Sequence, residues 1–235
     1  MKHTVVVTGG TKGLGREISL AFARLGHSVI ALYANDSQAA ERIESEFTNM
    51  GSTSVVLKHD VTSDSHALKN CPLLKDAESL VFIHNACADF TPVPLHQLSW
   101  NDFEKNLSVT VKGAWLCSQE LIRPMLKHKR GVIVSVLTSA IHGLPPKGFG
   151  AYATAKHALR GFTLALASEY SARGLKVFSI SPSYMDTPLT EQWDFRLRDA
   201  IRSSGPITTP EVAARKLVEL VQSNSTLGSG EDYPV

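Results

Sequence analysis

Strand-like apolar runs alternate with helical stretches along the whole 235-residue chain, and this alternation leaves few architectures open. Thr4–Thr8, His27–Tyr33, Ser54–Lys58, Ser79–His84, Val132–Leu137 and Lys176–Ser181 are short and rich in β-branched or other apolar residues. That composition suits strands buried on both faces. Between them lie LGREISLAFARLG, closed by Gly26, and a polar helix, Ser37–Met50, ended by Gly51. A long helix is predicted from about Ser99 to Lys127 and another over Ala151–Arg173. Thr209-Pro210 supplies a capping hydroxyl and a proline at the first helical position of a last helix, running to about Gln222. Glu231–Val235 reads as a closing edge strand. Strand–helix–strand crossovers are right-handed and set their strands parallel. The expected fold is therefore α/β: one Rossmann-type doubly wound parallel sheet of about seven strands, helices on both faces, in a single domain over residues 1–235.

The remaining composition narrows the function. A net charge of +2 gives no surface for nucleic acid and no polybasic membrane anchor. Cys71, Cys87 and Cys117 are odd in number and hold no CxxC pair, which fits a reducing cytoplasm and argues against a disulfide framework or a structural zinc site; no metal is expected. MKHTVVVTGG runs straight into a strand and a glycine turn, leaving no room for a signal peptide, and no apolar stretch is long enough to span a bilayer.

Thr8-Gly9-Gly10-Thr11-Lys12-Gly13-Leu14-Gly15 joins the first strand to the first helix. Gly9 permits the tight turn, while Gly13 and Gly15 let backbone and helix approach a pyrophosphate held by the N–H groups of the helix terminus. A carboxylate at the end of the second strand would mark NAD. Tyr33 stands there instead, followed by Ala34-Asn35-Asp36-Ser37. Lys12, Asn35 and Ser37 could contact a 2′-phosphate, so NADPH is expected; with Asp36 on the ribose, NAD would be the alternative.

Tyr152 and Lys156 lie four residues apart on the predicted helix and share one face. An ammonium beside a phenol favours the phenolate, so a depressed pKa is expected for Tyr152 and with it general acid–base chemistry. Ser139, thirteen positions earlier across a Pro/Gly-rich loop, could present its hydroxyl to a carbonyl being reduced.

Together these residues resemble the short-chain dehydrogenases/reductases, nearest in pattern to 3-oxoacyl-carrier-protein reductases, over essentially the whole chain. TGGTKGLG is similar to the family's TGxxxGxG, Asp60-Val61 to its adenine-contacting pair, Asn85-Ala86 to the start of its NAG motif, and Pro182 and Thr187 to the segment that holds the nicotinamide carboxamide. The resemblance implies that Tyr152 donates a proton, Ser139 orients the carbonyl, and Lys156 binds the nicotinamide ribose and lowers the tyrosine pKa. Counting forward from Gly131 puts Thr138 where counting back from Tyr152 puts Ser139, and the second count is preferred because the loop sets the distance to the tyrosine. Cys87 replaces the glycine of NAG and Ser183 the glycine after Pro182. Thr110 stands where the family has a catalytic asparagine, with Asn106 one turn earlier as a possible substitute, and the chain lacks the longer glycine-rich tail of many relatives.

On the substrate side, Ile141, His142, Leu144, Pro145, Phe149 and Tyr184 are expected to line the pocket under a lid at about residues 187–206 that carries Trp193, Phe195, Arg196, Arg198 and Arg202. The first substrate expectation is a 3-oxoacyl thioester, free or carrier-bound, and the resemblance makes Arg130 a candidate docking residue for an acidic carrier. The second is a sugar, cyclic or secondary-metabolite ketone. A low-turnover dinucleotide sensor or scaffold is the rival from another class. The long helices, with Leu107, Val111, Trp115, Phe162, Leu166 and Tyr170, suggest a homotetramer or homodimer.

Overall fold

Strand β1 (Thr4–Val7) is the axis of the structure, a computed structural model that describes residues 2–63, 68–75, 77–223 and 228–235. It pairs on one side with β2 (Ser28–Tyr33) and on the other with β4 (Leu80–His84). β3 (Val55–Lys58) extends the first side; β5 (Gly131–Val136), β6 (Leu175–Ser181) and β7 (Asp232–Pro234) extend the second. Every pairing is parallel, in the order β3-β2-β1-β4-β5-β6-β7.

The period-two geometry of a strand sends successive side chains to opposite faces. Val5 and Val7 therefore enter a core with α1 (Gly13–Arg24), α2 (Ser37–Asn49) and α9 (Pro210–Gln222). Val6 enters the other core, with α5 (Gly113–Lys127) and α6 (Gly150–Tyr170). All three valines are fully buried, at about 1.5–3 kcal/mol each relative to exposure, and a charge at any of them would break one layer. The chain crosses from one half of the sheet to the other between β1 and β4, which opens a crevice at the carboxyl ends of those strands.

Two elements differ from expectation. The helix predicted as continuous over Ser99–Lys127 is α4 (Trp100–Leu107) and α5 separated by a π-helical turn, Ser108–Lys112. α5 begins where Gly113 lets Val61 approach; a Cβ there would lie 2.7 Å from Val61 Cγ2. A short helix, α3 (Pro72–Lys75), was not expected. Trp115 and Leu164 leave 46% of their surface exposed, whereas Leu166 is buried and Leu107, Val111, Phe162 and Tyr170 are half-buried. Arg130 precedes the first residue of β5, at the end of the sheet away from the crevice.

Candidate active site

A cleft of about 900 Å3 occupies the crevice. Its floor is the glycine loop. Gly9 has φ 61°, a left-handed conformation that favours glycine, and a Cβ on Gly15 would lie 2.1 Å from the Gly9 carbonyl oxygen. Lys12, at the N-cap of α1, makes no side-chain cap, so N–H groups of the first helical turn remain available to an anion. Thr8 holds the loop to β4: its Oγ1 accepts from the backbone N–H groups of Asn85 and Ala86, both at 3.0 Å. Asn85 Nδ2 donates to the carbonyls of Thr8 and Gly9. With Thr8 Oγ1 accepting twice, its own proton goes to His84 Nδ1 at 3.1 Å, and His84 Nε2–H donates to the Thr110 carbonyl at 2.9 Å. These bonds fix the neutral tautomer of a buried histidine whose pKa burial lowers to about 3, the nearby Lys156 charge pushing the same way.

Gly9, Thr11, Lys12, Gly13, Leu14, Tyr33, Asn35, Asp60, Val61, Asn85, Ala86, Pro182 and Thr187 all line the cleft. Gly15 lies behind the loop it packs against. Ser37 is the first residue of α2 and stands outside the lining. Asp36 caps α2, accepting from Ala39 N–H at 3.0 Å, and lies 3.6 Å from Lys12 Nζ. That backbone hydrogen bond, helped by the Lys12 charge, holds its pKa below the ordinary carboxylate range. The Asp60 carboxylate accepts from the N–H and hydroxyl of Thr62.

Tyr152 and Lys156 project from the first turns of α6 into the same cleft, with Lys156 Nζ 5.7 Å from the phenol ring centroid. Lys156 is buried and donates to the Val136 carbonyl at 2.6 Å. The expected depression of the Tyr152 pKa is not found: burial pushes the phenol up, the neighbouring Cys87 adds to this, and only a hydrogen bond with Thr138 pulls it down. Desolvation exceeds the ammonium's influence because Lys156 is itself buried and lowered. Thr138 and Ser139 both line the cleft with the phenol, and Thr138 Oγ1 accepts from the Ala140 N–H at 3.3 Å. Ser139 lines the cleft but is exposed, and its N–H is bonded to the Pro182 carbonyl at 2.9 Å. The two counts thus name neighbouring residues of the loop that follows β5, which ends at Val136, and both residues line the cleft.

Thr110 is buried and does not line the cleft; its Oγ1 has no hydrogen-bond partner among the described residues. Asn106, also buried, donates to the Asp102 carbonyl as an ordinary helix residue. Cys87 does line the cleft, and burial pushes its thiol up. His142 turns away to a separate clasp with Asp232 and Ser181.

The segment expected as a lid folds as α7 (Pro188–Glu191) and α8 (Phe195–Ser204), and Trp193 between them is buried. Its Nε1–H donates to the Phe90 carbonyl at 2.9 Å. Phe90, which sequence reading missed, stacks on Tyr152 at 4.7 Å between centroids. Thr8 and His84 were missed as well; the available signal was a polar residue at the carboxyl end of an otherwise apolar strand.

A parallel sheet with a glycine loop at its switch point and a Tyr152–Lys156 pair facing that loop defines a dinucleotide-dependent oxidoreductase. The family model described as short chain dehydrogenase matches residues 3–196, and the chain belongs to that family. It is 28% identical over 191 residues to the 3-oxoacyl-[acyl-carrier-protein] reductase of Synechocystis sp. (strain PCC 6803), covering 80% of this chain and 76% of that one. It is 26% identical to the uncharacterised oxidoreductase YohF of Escherichia coli (strain K12), covering 91% and 87%. Among solved structures, a candidate NAD(P)-dependent gluconate 5-dehydrogenase from Beutenbergia cavernae, with NADP bound at low occupancy, superposes with a TM-score of 0.86 at 28% identity, over 99% of this chain and 94% of that one. A Brucella melitensis 3-oxoacyl-[acyl-carrier protein] reductase with bound NAD superposes at 0.87 and 22% identity, over 99% and 89%, a likeness of fold. The chain is an NAD(P)-dependent oxidoreductase of the short-chain type. No described helix is long and apolar enough to cross a membrane.

Proposed function

We propose that this protein is an NADPH-dependent carbonyl reductase, running as an alcohol dehydrogenase in reverse, with Tyr152 as the general acid. The single observation that carries the reading is the convergence of Tyr152, Lys156 and Thr138 on one cleft with the glycine loop. The residues present fit a nicotinamide dinucleotide. Gly15 leaves no room for a side chain where α1 must meet the loop, and the N–H groups beyond Lys12 carry no side-chain cap. The dinucleotide, when bound, supplies the hydride.

Burial keeps the Tyr152 phenol protonated at neutral pH, the state from which it can give a proton to a carbonyl oxygen. Thr138, which lines the cleft with that phenol, orients the same oxygen, with Ser139 beside it at the exposed rim. Lys156, anchored by the Val136 carbonyl, binds the ribose and stabilises the phenolate that forms as the proton leaves. Thr110 contributes through its backbone carbonyl, which His84 holds in the π-helical turn.

NADPH is favoured over NADH because Tyr33 brings no carboxylate to the end of β2, the Asp36 carboxylate is committed to capping α2, and Lys12 stands at the rim. Asn35 shares that rim. The exposed surfaces of Trp115 on α5 and Leu164 on α6 support a homo-oligomer. Steady-state oxidation of NADPH against a ketone panel tests the reading. Dinucleotide binding without turnover of any ketone or alcohol would return the chain to the sensor alternative.

A further inference from the structure

The wall of the cleft beside the phenol is aromatic in a way that none of the relatives' names accounts for. Phe90 lies face to face with Tyr152, 4.7 Å between centroids and tilted by 14°. Phe149 meets both edge-on, at 5.2 Å from Phe90 and 5.9 Å from Tyr152. Trp193 closes the set from the lid, 5.2 Å from Phe90 and 5.1 Å from Phe149. Three separate segments contribute these rings: the loop after β4, the loop before α6, and the lid.

Trp193 and Thr190, which line the cleft, have their donors engaged within the protein. Trp193 Nε1–H is bonded to the Phe90 carbonyl, so the indole offers only its apolar faces. Tyr184 Oη and Arg202 both donate to Asp186, and Arg202 also reaches Asp199. Thr190 Oγ1 donates to the carbonyls of Met185 and Thr187. Arg196 lies over the Phe195 ring. At the mouth, Leu144 lines the cleft while fully exposed, an apolar surface that a ligand could cover. A polyol would find the Trp193 and Thr190 donors already used within the protein. A flat ring instead adds to the offset-stacked and edge-to-face geometry already present.

Building on the carbonyl-reductase reading, we propose that the substrate is a compact ketone whose carbonyl carbon bears an aryl group, selected by Phe149 and Trp193, which line the cleft, with Phe90 packed against both. The carbonyl carbon gains the hydride from reduced nicotinamide dinucleotide, and the oxygen gains the Tyr152 proton. The products are a secondary benzylic alcohol and the oxidised dinucleotide. Trp193 couples selection to lid position, since the ring that contacts the aryl group is the one that pins the lid to Phe90.

The test compares kcat/KM for an aryl methyl ketone (acetophenone), a linear ketone of equal carbon number (2-octanone), a ketose and acetoacetyl-pantetheine, each with NADPH and NADH. The wild type should favour the aryl ketone over the linear one by about tenfold or more. Phe90→Leu and Trp193→Leu should each cut that ratio by about three- to tenfold, the weight of one aromatic pair. Acetophenone should also quench tryptophan fluorescence in wild type and not in Trp193→Phe, a binding readout independent of turnover. Preference for the ketose, the thioester or the linear ketone would overturn the aryl assignment while leaving the reductase reading intact. So would an aryl-to-linear ratio unchanged in both folded variants. Failure of every carbonyl compound with both dinucleotides would overturn the reductase reading itself, and the aryl assignment with it.

Discussion

Acidification should destabilise this protein through His84, by an amount the geometry fixes. The imidazole is 1% exposed, donates from Nε2 to the Thr110 carbonyl and accepts at Nδ1 from Thr8 Oγ1. A second proton would have to sit on Nδ1, against an oxygen already accepting two backbone N–H bonds. Burial and the Lys156 charge lower its pKa from 6.5 to about 3. The folded state therefore holds His84 neutral while the unfolded chain protonates it below about pH 6.5. The unfolded state binds more protons in the window from 6.5 down to about 3, so the contribution is fully present above 6.5 and is lost as pH falls through that window. Between pH 7 and 4.5 this one group costs about 2.5 kcal/mol, at 1.36 kcal/mol per pH unit once the unfolded histidine is protonated. His3, which burial lowers to about 4, and carboxylates add their own dependence. A His84→Gln variant, which keeps a donor for Thr110, removes only the His84 part. Urea unfolding at pH 7, 5.5 and 4.5, at one protein concentration, should show wild type losing about 2.5 kcal/mol more than the variant. Parallel losses in the two proteins would refute the argument.

The site yields further expectations. Tyr152→Phe should remove more than nine-tenths of turnover, in kcat, while dinucleotide affinity by fluorescence titration changes less than about twofold. Thr138→Ala should cost on the order of 10²-fold in kcat, as loss of an oriented oxyanion donor does, and Ser139→Ala less than about threefold; the reverse order would restore the count from Tyr152. Lys12→Ala should weaken NADPH by about tenfold, at the lower end for a charge-assisted contact because Lys12 is half exposed, and leave NADH nearly unchanged. If Asp36→Ala is instead the variant that shifts cofactor choice, the NADPH assignment is wrong.

Much of this was legible in the sequence because it depends on local rules. Strand and helix periodicity, Gly9 and Gly15 in a strand-to-helix turn, and four-residue spacing of Tyr152 and Lys156 are properties of a few consecutive residues. The parallel sense of the sheet followed from strand–helix–strand crossovers, while its order came from the structure. What neighbours impose across space was not legible. Ser139 and Thr138 are adjacent in the chain, and only the path of the loop between β5 and α6 brings both into one cleft with the phenol. The ammonium four residues from Tyr152 suggested a lowered pKa, but desolvation by the surrounding fold reversed the sign. Val61 packs against Gly113 at the start of α5, and the carbonyl of Thr110 in the π-helical turn is held by His84, 26 residues away. Phe90 and Trp193 lie 103 positions apart, and only packing set the indole N–H on the Phe90 carbonyl. Local sequence determined which backbone the chain would build and where a dinucleotide would rest, because periodicity and turn chemistry act over one or two turns. The tertiary structure decided which protonation states the buried groups hold and which rings pack on Tyr152, because burial and contact are properties of the assembled whole.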